Sequence, residues 1–200
     1  MTKTNEEKRE KRRKQSAEIF TPPDLVNDML GKLPIEVWEN GKTFCDPACG
    51  NGNFLIWVLL KKIAKGHKPL EALKTIYGCD IMKDNIEECR KRLLKIVSIF
   101  EPISEDHLKS IFINIRFLSR TNYPNGSLDY DFSFKNKVNN KDIDRWLNWI
   151  QKEQMLDNVE LPIETTEKKN RKNDMFANDI IAMAFKICDT MKKKKIRRKK

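Results

Sequence analysis

The stretch TFCDPACGNGNFL, residues 43–55, sets an acidic residue, a proline and two closely spaced glycines between a short apolar run and a longer one. KTFCD (42–46) has the length of a short strand ending in an aspartate. NFLIWVLLKKIAK (53–65) is apolar nearly all round its first two turns, as a helix pressed against a sheet must be. Glycines at 50 and 52, just past the strand end, let the backbone turn tightly and approach a ligand without interference from a Cβ, and the helix that follows offers free N–H groups. The loop is not a P-loop, because no Gly-Lys-Ser/Thr follows, and it lacks the third glycine of a dinucleotide fingerprint.

Outward from this unit the same alternation recurs. KTIYGCD (74–80) predicts a second strand that again ends in an aspartate, Asp80. DNIEECRKRLLKIVSIF (84–100) predicts a helix with Ile86, Cys89, Leu93 and Val97 on one face, started by Asp84 with Glu87 three residues on. SIFINIRFL (110–118) predicts a third strand. Strand, helix, strand, helix is the pattern of a parallel α/β sheet. Upstream, FTPPDLVNDML (20–30) predicts a helix with Thr21 as N-cap, Pro22 in the first turn, Asp24 completing the box and Leu25, Val26, Met29 and Leu30 on one apolar face, with Met29 and Trp57 in the core. Beyond residue 134 the alternation stops, and 142–156 and 174–191 predict amphipathic helices.

The charge is unevenly placed. The net +11 divides into +4 in residues 1–14 and +8 in the last ten, which leaves the span 15–190 at −1. Both ends are too charged to bury anything unaided and predict disordered tails or frayed helix ends. Lysine-rich ends of this kind suit non-specific contact with DNA phosphates, or solubility alone. No apolar run approaches the length of a membrane span and no signal peptide is visible, so a soluble, cytoplasmic protein is expected. The cysteines, Cys45, Cys49, Cys79, Cys89 and Cys188, form no CxxC pair and predict buried thiols, without zinc or disulfides. His67 and His107 stand alone, and neither a metal site nor a triad is expected.

Asp80, at the end of the second strand, stands where an α/β nucleotide-binding fold needs a carboxylate for the ribose hydroxyls, and Ile81 beside it can cover one face of an adenine. Asp46, at the end of the first strand, lies on the same sheet edge and could face a positively charged amino-acid head group. A neutral-to-acidic site without a phosphate cradle points away from NAD and towards S-adenosylmethionine. The plainer readings use the same residues: a strand-to-helix turn for residues 46–52, the N-terminal charge of the next helix for Asp80, and a helix cap for Thr21.

DPACGNGNFL resembles the first motif of the amino-methyltransferases that modify DNA, above all the N6-adenine enzymes; FTPPDLV resembles their N-terminal cofactor motif and YGCDI their second motif. The similarity covers about residues 18–100, in order. It implies a Rossmann-like class I methyltransferase core, S-adenosylmethionine as cofactor and DNA as partner. By the same resemblance Phe20, Thr21, Asp46, Pro47, Ala48, Gly50 and Gly52 would line the methionine end, and Asp80 and Ile81 the ribose and adenine. The family's Asn/Asp-Pro-Pro-Tyr/Phe segment is absent, and the only Pro-Pro in the chain is Pro22-Pro23. No catalytic residue is therefore assigned, although Asp129, Tyr130, Asp131 and Phe132 have suitable chemistry where the fourth strand should begin. Ser119 and Asn122 are neutral where the third motif's aspartate would fall.

The expected organisation is a basic tail (1–16), a methyltransferase-like α/β core with an incomplete sheet (17–134), a helical C-terminal region (135–191) and a second basic tail (192–200). The expected function is S-adenosylmethionine-dependent, adenine-N6-type DNA methylation. A catalytically inactive scaffold of the same fold, binding nucleic acid or a partner subunit, is the alternative, and a small-molecule or RNA methyltransferase the third.

Overall fold

A computed structural model describes residues 21–118 and 138–156, with isolated positions at 10, 14, 183, 184, 186, 187 and 190. The elements in chain order are α1 (Pro23–Gly31), a 3-10 turn (Ile35–Trp38), β1 (Phe44–Asp46), α2 (Asn53–Ala64), α3 (Pro69–Lys74), β2 (Ile76–Asp80), α4 (Lys83–Phe100), α5 (Glu105–Asn114), β3 (Ile115–Phe117) and α6 (Asn140–Leu156). The described strands form one parallel sheet in the order β1-β2-β3, with Asp46 level with Gly78 and Asp80 level with Phe117. This is the α/β architecture expected, with a short, helix-rich sheet. The expected boundary at residue 134, both basic tails, Cys188 and most of the segment 174–191 lie outside the described residues.

Helix α2 is the hub. Leu55, Ile56, Val58, Leu59, Leu60 and Ile63 are buried on all sides of it, because α1, α3, α4 and the sheet all press against it. Gly78, in the middle of β2, makes the sheet contact possible: a Cβ there would sit 2.5 Å from Leu55 Cδ1 and 3.1 Å from Cys49 Sγ. A glycine inside a strand often marks such a close approach. The buried Lys62 completes the hub by donating to the Lys42 carbonyl oxygen at 2.7 Å, with its ammonium over the Phe44 ring, and burial lowers its pKa. Trp57 is core, as expected.

Helix α4 buries Ile86, Cys89, Leu93 and Val97, the face expected of it. Its start differs. The helix begins at Lys83, and the group that holds its entry is Asp80, whose Oδ1 accepts the Met82 N–H at 2.7 Å. Asp84, in the first turn, accepts the N–H of Asn85 next to it.

Two further expectations fail for tertiary reasons. Residues 110–114 are helical, and β3 is confined to Ile115–Phe117. Ser104 and His107 form a capping box that starts α5, Leu108 and Ile111 give it a buried stripe, and the buried Asn114 side chain ends it by donating to the carbonyls of Leu73 and Lys74. Lys74, taken as the first residue of a strand, instead ends α3, where Pro69 sits at the first helical turn and Thr75 Oγ1 donates back to Ala72 O.

At α1 the N-cap is Pro22, and no side chain caps it. Thr21 therefore does not cap, and Asp24 closes no box. Val26 and Leu30 are buried as expected, but Leu25 and Met29 are 50% and 47% exposed, so Met29 is not core. Among the thiols, Cys49, Cys79 and Cys89 are buried and Cys45 is exposed, because β1 carries it on the outward side of the pleat. The histidines are structural. His67 Nε2 bonds Trp38 O at 2.7 Å. His107 Nδ1 accepts the Ser104 N–H, which leaves its Nε2 to donate to Glu101, and Glu101 also takes the Leu70 N–H. One carboxylate thus joins the starts of α3 and α5 to the end of α4.

Among the described residues no helix is long and apolar enough to cross a membrane. Ile143, Trp146 and Ile150 of α6 are buried in the same core, with Trp146 edge-on to Phe112 of α5 at 5.6 Å. Gly78→Ala is expected to destabilise the fold by about 1–3 kcal/mol through overpacking against Leu55 and Cys49, read as a melting temperature several degrees lower. Gly31→Ala, with nothing within 4 Å of its added methyl, is the control and is expected to leave the melting temperature unchanged or slightly raised.

Candidate functional site

The tips of β1 and β2 and the loop 47–52 meet at one sheet edge. Asp46 pairs with Gly78, so Asp80 stands two residues further along the neighbouring strand and on the same face of the pleat. The chain does not leave the sheet at once after β1: Cys49 N–H donates to Cys79 O at 2.9 Å and lengthens the ladder. Gly50 N–H then donates to Asp80 Oδ2 at 3.0 Å, while Asp80 Oδ1 takes the Met82 N–H. Asp80 thereby fixes both the glycine loop and the entry to α4. An ionised carboxylate offers about four lone-pair positions, so each oxygen can still accept a donor from outside.

Gly52 closes the loop. Its N–H donates to Cys49 O at 2.8 Å and its carbonyl starts α2 by accepting from Ile56. Its φ of +88° is in the left-handed region, and a Cβ there would meet Cys89 Sγ at 2.5 Å. Either fact alone favours glycine. The Asn51 amide oxygen is buried in the loop with no hydrogen-bond partner.

The first acid is held differently from the second. Asp46 Oδ1 accepts only the Ala48 N–H, at 3.1 Å. Burial raises its pKa above the usual 3.8, the Ala48 bond works against that rise, and the charge of Asp80 adds to it. Among the described residues no ion pair offsets the two negative charges. Pro47 and Ala48 are exposed, with the Pro47 carbonyl accepting the Cys79 thiol. Ile81 is 37% exposed next to Asp80. Beside Asp46 a cavity of about 220 Å³ opens between residues 44–47, Leu30 of α1 and Phe54, Leu55 and Val58 of α2. Asp80 is not among its walls. This volume is below the range of about 300–1,000 Å³ usual for small-molecule sites, so the cavity can accept one end of a larger ligand.

The thiols nearby are unsuited to nucleophilic chemistry. A hydrogen bond with Cys89 and burial hold the Cys49 thiol far above its ordinary pKa, and burial with the neighbouring Cys45 pushes Cys79 up to about 12. Among the described residues no group of His, Cys, Asp and Glu could hold a metal ion.

The structure therefore brings Asp46, Pro47, Ala48, Gly50, Gly52, Asp80 and Ile81 to one edge. Thr21 joins them through its backbone, since its carbonyl accepts from Asn53 Nδ2 at 3.0 Å. Phe20, Ser119, Asn122, Asp129, Tyr130, Asp131 and Phe132 lie outside the described residues. Residues not anticipated are Gly78, which a glycine inside a strand pattern could have signalled, and Asn53 and Arg92. Arg92 Nη1 donates to Asn51 O at 2.8 Å and to Asn53 Oδ1 at 2.9 Å. Its position on α4 carries no mark in the sequence.

Comparison with known proteins bears on what this edge is for. The family described as N-6 DNA methylase matches residues 6–183. The type II methyltransferase M.VspI of Vibrio sp. (strain 343) is 37% identical over 83 residues, which are 42% of this chain and 18% of that protein. The chain thus matches less than a fifth of the length of that curated relative. No solved structure matches the chain.

The raised Asp46 pKa makes a prediction about the protein without ligand. Above its usual value the unfolded chain gives up this proton more readily than the folded one, so stability falls as pH rises from 3.8 through the raised value. Asp46→Asn keeps the acceptor for Ala48 and removes the penalty. Thermal unfolding is expected to show the variant more stable than wild type at neutral pH, with the gain shrinking as pH approaches 3.8. A gain that stays constant with pH would mean that the acid is not strained by its ionisation.

Proposed function

The chain belongs to the N-6 DNA methylase family, and from that premise we propose that it forms the S-adenosylmethionine-binding part of an adenine-N6 DNA methyltransferase. The observation that carries the reading is the uncompensated acid pair. Asp46 and Asp80 end neighbouring parallel strands, the first is pushed up in pKa by burial with the charge of the second contributing, and a ligand bearing a sulfonium and an ammonium relieves that strain on Asp46. The residues present fit such a group. Asp80 has lone pairs to spare for the ribose hydroxyls, Ile81 offers an exposed apolar face to an adenine, and the orphaned Asn51 oxygen marks the loop as incompletely satisfied.

When bound, S-adenosylmethionine supplies an electrophilic methyl on sulfur. The residues of this chain bind and orient it: Asp46, with Pro47 and Ala48, faces the cationic methionine end, the loop from Gly50 to Gly52 brings backbone close without side chains, and Thr21 closes the site from the arm before α1. Phe20 belongs to the same proposal by its place in the motif. DNA is the substrate that the family implies, and the basic ends, +4 in residues 1–14 and +8 in residues 191–200, supply non-specific phosphate contacts. The proposed organisation keeps residues 17–134 as the cofactor core and 135–191 as a helical C-terminal region.

A second reading is favoured by one observation: the sequence has no Asn/Asp-Pro-Pro-Tyr/Phe segment to hold a target base. On that reading the chain binds the cofactor and serves as a scaffold for nucleic acid or a partner subunit.

Calorimetric titration with S-adenosylmethionine decides the shared premise. One equivalent is expected to bind, more weakly as pH falls through the raised Asp46 value, and Asp80→Ala is expected to lose at least about tenfold in affinity. The absence of saturable binding at neutral pH removes both readings. Transfer of a labelled methyl to unmodified DNA then selects the enzyme, and binding without transfer selects the scaffold. Deleting residues 192–200 is expected to weaken DNA binding at low salt and flatten its log-log salt dependence by roughly 7, if about eight phosphates are neutralised; unchanged low-salt affinity rules out that tail as a DNA contact.

A further inference from the structure

Three segments far apart in sequence meet through one amide. Asn53 is the first residue of α2, directly after Gly52. Its Oδ1 accepts from Arg92 Nη1 at 2.9 Å, and its Nδ2 donates to the Thr21 carbonyl at 3.0 Å. The same guanidinium nitrogen holds the Asn51 carbonyl at 2.8 Å. We propose that Arg92 and Asn53 are positioning residues of the cofactor site, forming a relay that fixes the glycine loop from behind and ties the arm at Thr21 to it. The inference rests on the proposed cofactor reading for its purpose, and on the hydrogen bonds alone for its existence.

The direction of the relay follows from the donor inventory. Arginine can only donate, so its bond requires an oxygen and settles which end of the Asn53 amide faces α4. The amide nitrogen is then turned towards Thr21, whose carbonyl precedes the proline-capped start of α1 and has no helical partner of its own. Without Arg92 the amide is free to rotate, and the arm loses a fixed donor. Arg92 stands on α4, the helix that Asp80 also anchors through Met82, so one rigid element sets the loop from two sides. Two cations near the loop behave differently: Arg90 is turned away, donating to Ile115 O and stacking on Phe112, whereas Arg92 reaches the loop itself.

Asn53→Asp separates positioning from folding. A carboxylate keeps the acceptor for Arg92, with an added charge attraction, and an acid in the first turn of a helix is favourable. It cannot donate to Thr21. The expected result is a melting temperature equal to or above wild type, faster hydrogen exchange at the amides of residues 26–30, and S-adenosylmethionine affinity about tenfold weaker. Arg92→Lys is expected to recover part of the affinity lost in Arg92→Ala, because an ammonium can still serve one of the two oxygens. Asn53→Ala combined with Arg92→Ala is expected to lose no more affinity than the larger single effect, since both break one chain of bonds.

Asn53→Asp with wild-type exchange at residues 26–30 overturns the relay. Faster exchange with affinity within twofold of wild type overturns its role in cofactor binding. A wild-type protein that takes up no S-adenosylmethionine overturns the cofactor reading instead, and hydrogen exchange still decides the relay.

Discussion

The carboxylate of Asp80 is the constraint from which the rest of the site is built. It closes the strand packed between β1 and β3, accepts Gly50 N–H with one oxygen and Met82 N–H with the other, and so sets the loop after β1 and the helix after β2 from a single point. A charge-assisted bond to a backbone N–H is stronger than a neutral one, and here two of them converge on a rigid strand. The loop can then be glycine-rich without being loose. Its shape is enforced from below by Asp80 and from behind by Arg92 and by the wall of α4 at Cys89.

Tight approach and uncompensated charge coexist at this edge. Gly52 and Gly78 let α4 and α2 come within contact of the loop and the sheet, distances that no side chain would allow. At the same edge burial raises the pKa of Asp46, and Asp80 adds its own negative charge. The protein holds two acids where a folded core would prefer none or a partnered pair, and retains an unsatisfied Asn51 oxygen beside them. Costs of this kind concentrate where a ligand completes the structure. The buried Cys49 and Cys79 thiols add no further negative charge beside the acids, since burial and, for Cys49, the hydrogen bond with Cys89 keep them protonated.

Where local sequence and structure part, a tertiary contact is the reason. The run Ile111-Phe112-Ile113 has strand character by composition, yet the Ser104–His107 box and the buried stripe of Leu108 and Ile111 make it helical. Thr21 looks like a cap, but the proline that follows takes the N-cap position and the Thr21 carbonyl is used by Asn53 instead. Leu25 and Met29 fit an apolar stripe, but of the four α1 buries Val26 and Leu30 and leaves the other two exposed. Periodicity marks which residues can be buried, and the partner decides which of them are.

The βα units, the aspartates that end their strands, the glycines of the loop and the apolar face of α4 are legible in the chain alone, because they depend on period, on chain reversal and on the room that a missing Cβ leaves. Those are local properties. Tertiary contacts alone put Asp46 and Asp80 on one face, where the charge of Asp80 adds to the raised pKa of Asp46, require Gly78 to be small for Leu55, and bring Arg92 to the loop and to Asn53. Each of these depends on a distance between segments some twenty to forty residues apart, and no property of either segment alone contains that distance.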